Sequence, residues 1–535
     1  MPDLLFHGGA IYTLDPQQPQ VEALLVRDET IVAAGAAADV REHLRPGYED
    51  ISLGGRAVVP GLTDAHIHLL WTGIHSQNVN LDGVRSLDEA LEMIRRHAEQ
   101  LPEGAWLRGH GWNHALWDYR WPTAVELDRV TQGHPAILSR KDGHSVWVNS
   151  RALVVAGIDE QTPDPDGGLI QRDELGQPTG ILLENANDLI YSIVPEPSLA
   201  ENVQALRRII RACNQRGLTS LHMPEGASTL AALQVLYGAG QLDARCLYHL
   251  PYRQLDDYIA LGVRSGFGDE WLRIGGVKIF SDGSLGSCTC HMLSPFAGST
   301  SNYGIPTIPE EELYEAVRKA NSNGISVAVH AIGDRANRTV LDAIAAQEQL
   351  FATIGEDVIK PVLRNRIEHA QHLDPADVPR FAALNVIASM QPIHATSDID
   401  IAERLLGDER CCWSYAWQPL RQSGAVLAFG SDAPVETLDP WAGIHAAVTR
   451  KRQDGQPPDG WHRELALSLD AALWSYVVGP AIASGETALK GPLTPGLRAD
   501  LVVLNADPYQ SNPDDLWQME VAQTFVGGRS VWEER

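Results

Sequence analysis

An α/β fold is predicted for this chain: a (β/α)8 TIM-type barrel, a small β-sandwich domain built from both chain termini, and a subdomain inserted after the first barrel strand. Three observations predict it. Short apolar runs alternate with segments of helical period through most of the chain, the pattern of buried parallel strands joined by helices. Eight such runs can be counted, the number that closes a barrel. Both ends show strand-like alternation instead, and the stretch between the first and second apolar runs far exceeds an ordinary βα loop.

Residues 1–57 contain LLFHGGAIYTL and VEALLVRDETIVAAG, whose glycines and Asp-Glu pair mark hairpins of the N-terminal half-sandwich. Residues 58–74 hold the first barrel strand, read within AVVPGLTDAHIH and running to its last histidine. Residues 75–200 form the insert, expected over the barrel mouth, with the strand-like AILSRKDGHSVWVNS and the turn-rich TPDPDGG. Residues 201–488 complete the barrel. Its strands are expected at LTSLHM (218–223), ARCLYHL (244–250), IGGVKIF (274–280), ISVAVHA (325–331), NRIEHA (365–370), NVIASMQ (385–391) and AVLAFGSD (425–432). Helical periods fall between them, as at 202–216, 309–323 and 439–452. Residues 489–535, with ADLVVLNADP and VAQTFVGGRSVWEE, supply the C-terminal half-sandwich.

Composition narrows the function. The 535 residues exceed what one core organises, so several domains are expected. With 42 basic against 69 acidic residues and a formal charge of −27, nucleic acid and anionic membranes are poor partners. A small-molecule substrate fits better. The start MPDLLFHGGAIYTL lacks the basic segment and apolar core of a secretory signal, and no apolar run is long enough to span a bilayer. Six scattered cysteines form no disulfide framework, which fits a reduced cytoplasmic setting.

The chemistry collects at the strand ends. His66 and His68 close the first run; at i and i+2 of a strand both imidazoles face one side and can grip one metal. Lys278 sits inside the apolar fourth run, where an unpaired ammonium is costly; Asp282 or Glu368 could pair with it. The fifth, sixth and eighth runs reach His330, His369 and Asp432. Functional groups of a barrel gather at these C-terminal ends. Gly276, Ala328 and Gly430 each precede one of these residues by two positions, leaving room beneath it. His144 in the insert and His222 on the second strand are candidate substrate-binding residues. Cys288, Cys290 and His291 lack a fourth ligand and make no zinc site. Trp112, Trp117, Trp121 and Trp147 suggest an aromatic wall or, for at least half of them, the insert's own core.

The phrases VVPGLTDAHIH, GGVKIFSDGSLGS, VAVHAIGD, RIEHAQ and FGSDAPV resemble the amidohydrolase superfamily, in its amidohydrolase-3 branch of formamide deformylase-like metal-dependent hydrolases. The likeness extends to RGHGWNHALW and PDGGLIQRD in the insert and to LTPGLRADLVVLNADP near the end. The resemblance implies that His66 and His68 bind one divalent metal and His330 and His369 a second. Lys278, carboxylated by CO2, would bridge them, and Asp432 would bind metal and act as the catalytic base. Zinc is the default, two per chain, with iron or manganese close behind, and one-metal relatives exist. The implied activity is hydrolysis of a non-peptide, amide-like C–N bond by a metal-bound hydroxide. Deamination of a heterocycle and ester or lactone hydrolysis use related sites, and a non-catalytic relative would have lost ligands that are all present here. A homodimer is an assembly the resemblance allows.

Overall fold

The computed structural model describes residues 2–140, 145–165, 168–286, 288–354 and 359–534. The chain divides into two compact units, Met1–Leu70 with Val203–Arg535, and Trp71–Asn202.

In the first unit each of the eight expected runs contributes a strand to one parallel sheet, neighbours in space following their order in the chain. They are β1 (Leu62–Asp64), β2 (Leu218–Pro224), β3 (Arg245–Pro251), β4 (Leu272–Phe280), β5 (Val327–Ala331), β6 (Arg366–His369), β7 (Ile387–Met390) and β8 (Val426–Phe429). The sheet is nearly a closed barrel: no ladder joins β1 to β8, but the Ala65 N–H donates to the Phe429 carbonyl at 2.9 Å. Just beyond, the Asp432 N–H reaches the His66 carbonyl and the His68 N–H reaches that of Ala433. Lys278 is in register with Ala328, and His330 with Glu368, so the polar residues share one end of the barrel.

Strands from the two ends of the chain pair in a separate sheet of eight, where Leu501–Leu504 runs antiparallel to Ala57–Pro60. The AVVPGLTDAHIH segment is therefore two strands, not one. It changes sheets at Gly61, where a Cβ would lie 2.4 Å from the Thr219 hydroxyl of β2. Only a glycine lets the chain pass that close. Phe6, Leu24, Val58, Leu501 and Phe525 fill the core on one face of this sheet.

The second unit carries a six-stranded sheet, from Gly168–Arg172 at one edge to Val79–Asn80 at the other. Trp112, Trp117 and Trp147 are buried in its hydrophobic core, and Trp121 packs on them partly buried. The tryptophans are thus core rather than wall. The Trp112 and Trp147 ring N–H groups are spent on the Leu138 and Thr123 carbonyls. Among the described residues, no helix is long and apolar enough to cross a membrane.

Candidate metal centre

β1 ends at Asp64, short of the two histidines. The Asp64 carboxylate accepts from the His66 N–H at 3.1 Å, the Ser431 N–H at 3.0 Å and the Ser431 hydroxyl at 2.6 Å. A short acidic side chain that captures nearby backbone donors ends a ladder. His66 and His68 therefore lie in a loop and owe their convergence to the turn, not to strand alternation. Their Nε2 atoms stand 3.4 Å and 3.2 Å from the same oxygen, Asp432 Oδ1. Close approach, rather than empty space beneath a ligand, explains the nearby glycines. A Cβ at Gly430 would meet the His66 nitrogen at 2.4 Å, and one at Gly276 the Ser326 carbonyl at 2.6 Å.

Three imidazoles have one nitrogen fixed by an acceptor. His66 Nδ1–H donates to Glu368 Oε2 at 2.5 Å, His369 Nδ1–H to Gln391 Oε1 at 2.8 Å, and His330 Nε2–H to the Gly283 carbonyl at 3.1 Å. Each acceptor pins a tautomer and leaves the opposite nitrogen as a bare lone pair, the form that binds a metal. The freed Nε2 of His66 is buried and has no hydrogen-bond partner. The rings are close, with centroids 4.5 Å apart for His330 and His369 and 5.1 Å for His66 and His369. Burial first, then the Lys278 charge, holds His66 down at about 4 and His330 at about 3, so both are neutral near pH 7. The donor set and the orphaned nitrogen fit a divalent cation.

His369 (φ 74°) and Asp432 (φ 59°) both adopt left-handed backbone, uncommon for side chains with a Cβ. Such strain is held in place by surrounding structure and gathers at functional sites. Asp432 is buried, which by itself raises its pKa. Hydrogen bonds from His394 and His68 outweigh burial and keep it ionised well below the usual range.

Lys278 is buried and its ammonium has no carboxylate within ion-pair distance among the described residues; it lies 4.8 Å from the centre of the Phe280 ring. The two expected counterions are committed elsewhere. Asp282 accepts the backbone N–H groups of His291, Ile332 and Gly333 at 2.8–3.0 Å, tying the loop after β4 to the end of β5. Glu368 is paired with Arg366 and His66. Burial lowers the lysine to about 8, with Glu368 and Asp432 opposing the shift only in part.

His222 is buried inside the barrel, where its Nδ1 accepts from Arg366 at 3.3 Å. His144 lies outside the described residues. Cys288, Cys290 and His291 belong to neither cluster of metal-competent side chains among the described residues, which are His66, His68 and Asp432, and His369, His394 and Asp432. His394 was not anticipated from the sequence. It sits in the helix Pro392–Ser397 just after β7, its Nε2 3.2 Å from Asp432 Oδ2. The readable signal was Gln391-Pro392-Ile393-His394: a proline opening a helix at the C-terminal end of a barrel strand puts the next residues at the functional face.

A family model described as "Amidohydrolase family" matches residues 49–532. The protein LONG AFTER FAR-RED 3 of Arabidopsis thaliana is 34% identical over 543 residues, covering 99% of this chain and 91% of its own. The N-substituted formamide deformylase of Arthrobacter pascens is 29% identical, covering 99% and 98%. Among solved structures, an uncharacterized metal-dependent hydrolase from Pyrococcus furiosus superimposes with a TM-score of 0.79 at 29% identity, over 95% of this chain and 100% of that one.

Proposed function

Because the chain belongs to the amidohydrolase family, we propose that it is a metal-dependent hydrolase of a small molecule, cleaving a non-peptide, amide-like C–N bond with Asp432 as the base. One observation carries this reading: buried imidazoles with pinned tautomers converge with an ionised carboxylate beside a buried lysine that has no ion-pair partner among the described residues. His66, His68, His330, His369 and Asp432 would hold two divalent cations, with Lys278 between them as its carbamate. Such cations acidify a water and polarise a carbonyl. Asp432 stays ionised and so accepts the proton of the attacking water, then returns it to the leaving amine. Glu368 and Gln391 hold the His66 and His369 rings in orientation throughout. The test is a hydrolysis screen of N-formyl, N-acyl and cyclic amides with the metal-loaded protein. The likeness to a formamide deformylase puts N-substituted formamides first. Turnover there is the expected result. Ammonia release from a purine or pyrimidine alone, or cleavage of esters and lactones alone, would replace the amide reading.

The Lys278 carbamate forms when the neutral amine attacks CO2, making one N–C bond and losing one proton. With the lysine lowered to about 8, its neutral fraction rises with pH and levels off above that value. Labelling by 13C-bicarbonate, followed through the carbamate resonance, should therefore rise roughly fivefold from pH 7 to 8 and less than twofold from 8 to 9. An ordinary lysine at 10.5 would climb about tenfold per unit through both steps. No carbamate signal at any pH removes the bridging role.

A further inference from the structure

We infer that His394 is a further metal ligand of this chain, acting with His369 on the second oxygen of Asp432. The inference rests on the reading of the site as a metal centre and adds a residue to it. The carboxylate of Asp432 is shared between two imidazole pairs. Oδ1 faces His66 and His68, with His68 Nε2 at 3.2 Å, while Oδ2 faces His394 Nε2 at the same 3.2 Å. The donor atoms of His369, His394 and Asp432 lie within 4.8 Å of one another, as do those of His66, His68 and Asp432. Two ligands on one cation, each bonded at about 2.0–2.2 Å, stand roughly 3–4 Å apart, so either triad needs only a small contraction to close on an ion.

The arrangement behind His394 is a looser form of the one behind His66, with a carboxylate nearby but no hydrogen bond. Glu368 stands on the far nitrogen of His66; Glu436 Oε1 stands 4.0 Å from the far nitrogen of His394. A carboxylate behind an imidazole favours the proton on that side and a lone pair on the metal side. In the structure Nε2–H is donated to Asp432 Oδ2; to bind an ion the proton moves to Nδ1, the side facing Glu436, which frees Nε2 as a ligand. One short segment then serves this side of the site twice: Gln391 orients His369, and His394, three residues on, supplies a donor of its own. His330 belongs to neither triad.

The experiment measures bound metal and the visible spectrum of the cobalt-loaded protein, both independent of turnover. The full chain, His394→Ala and His394→Asp are stripped with chelator, reloaded with Co(II) and dialysed. Elemental analysis then gives the equivalents retained. His394→Ala is expected to retain fewer equivalents than the parent and to change its d–d absorption, and His394→Asp, which restores an oxygen donor, to regain metal. Thermal melts of the stripped proteins check folding; if His394→Ala does not fold, the changed cobalt spectrum of His394→Asp carries the test. A His394→Ala protein with the parent's equivalents and spectrum overturns the inference and leaves the metal centre standing. A parent that takes up no metal overturns both.

Discussion

Replacing Asp432 by Asn is expected to lower kcat by about three orders of magnitude, within the range lost when a positioned acid–base group is removed. The side chain keeps its size but can no longer take a proton. Asp432 is suited to that task because its two oxygens face histidines from opposite sides, which holds it ionised despite burial. Metal content should remain within a factor of two of the parent by elemental analysis, separating proton transfer from ligation. Near-parental turnover by the variant would take Asp432 out of the proton path.

Replacing Arg366 by Met should destabilise the protein by about 3–5 kcal/mol, the range seen when one member of a buried ion pair is removed. The guanidinium is 2% exposed and donates to the Ala65 carbonyl at 2.6 Å, the Ser389 hydroxyl at 2.5 Å and His222 at 3.3 Å, besides pairing with Glu368. Burial alone would push Glu368 up; Arg366 and then His66 outweigh it and keep the carboxylate ionised well below its usual range. Without Arg366 that carboxylate is left with an imidazole partner only, and the clamp on His66 slackens. A drop of about 10–100-fold in metal affinity should accompany the lost stability, the usual cost of losing an outer partner. Urea denaturation and competitive metal titration measure the two effects. A variant with the parent's midpoint would mean that the Arg366–Glu368 pair stabilises nothing.

Most of the barrel was legible because a buried parallel strand leaves an uninterrupted apolar run, and all seven runs after the first mark their strands. The first was misread for two local reasons that periodicity does not show. Gly61 allows a close pass by Thr219, which splits the run between two sheets, and Asp64 captures the amides that would have extended β1. His66, His68, His369 and Asp432 were legible as metal-competent groups because they stand at or just past the ends of apolar runs, and the structure brings them into two clusters; His330 joins neither. Lys278 was legible as an anomaly, and the structure sharpens it, since both carboxylates that could have neutralised it are engaged elsewhere. The partners that orient the ligands were not legible. Gln391, Glu368 and Arg366 are ordinary polar residues in sequence, and their roles depend on which neighbour the barrel brings to each. His394 was missed because it sits in the turn of helix after β7, where no strand pattern points to it.

The pairing of Leu501–Leu504 with Ala57–Pro60 has a consequence for how the protein is made. A ribosome releases a chain from its amino side first, yet the strand just before the barrel waits for a partner several hundred residues further along. β1 waits almost as long for Phe429 on its open side. The barrel therefore cannot close until Phe429 has emerged, nor the terminal sheet fill until Leu501–Leu504 has. Strands that wait in this way expose unpaired edges. Leu4–Tyr12 and Gln20–Arg27, neighbours in both sequence and sheet, can pair early and shield each other, whereas Ala57–Pro60 lacks its C-terminal neighbour throughout synthesis. Nascent chains therefore carry unpaired strand edges until these late segments arrive, and removing Leu501–Leu504 would leave Ala57–Pro60 without that partner.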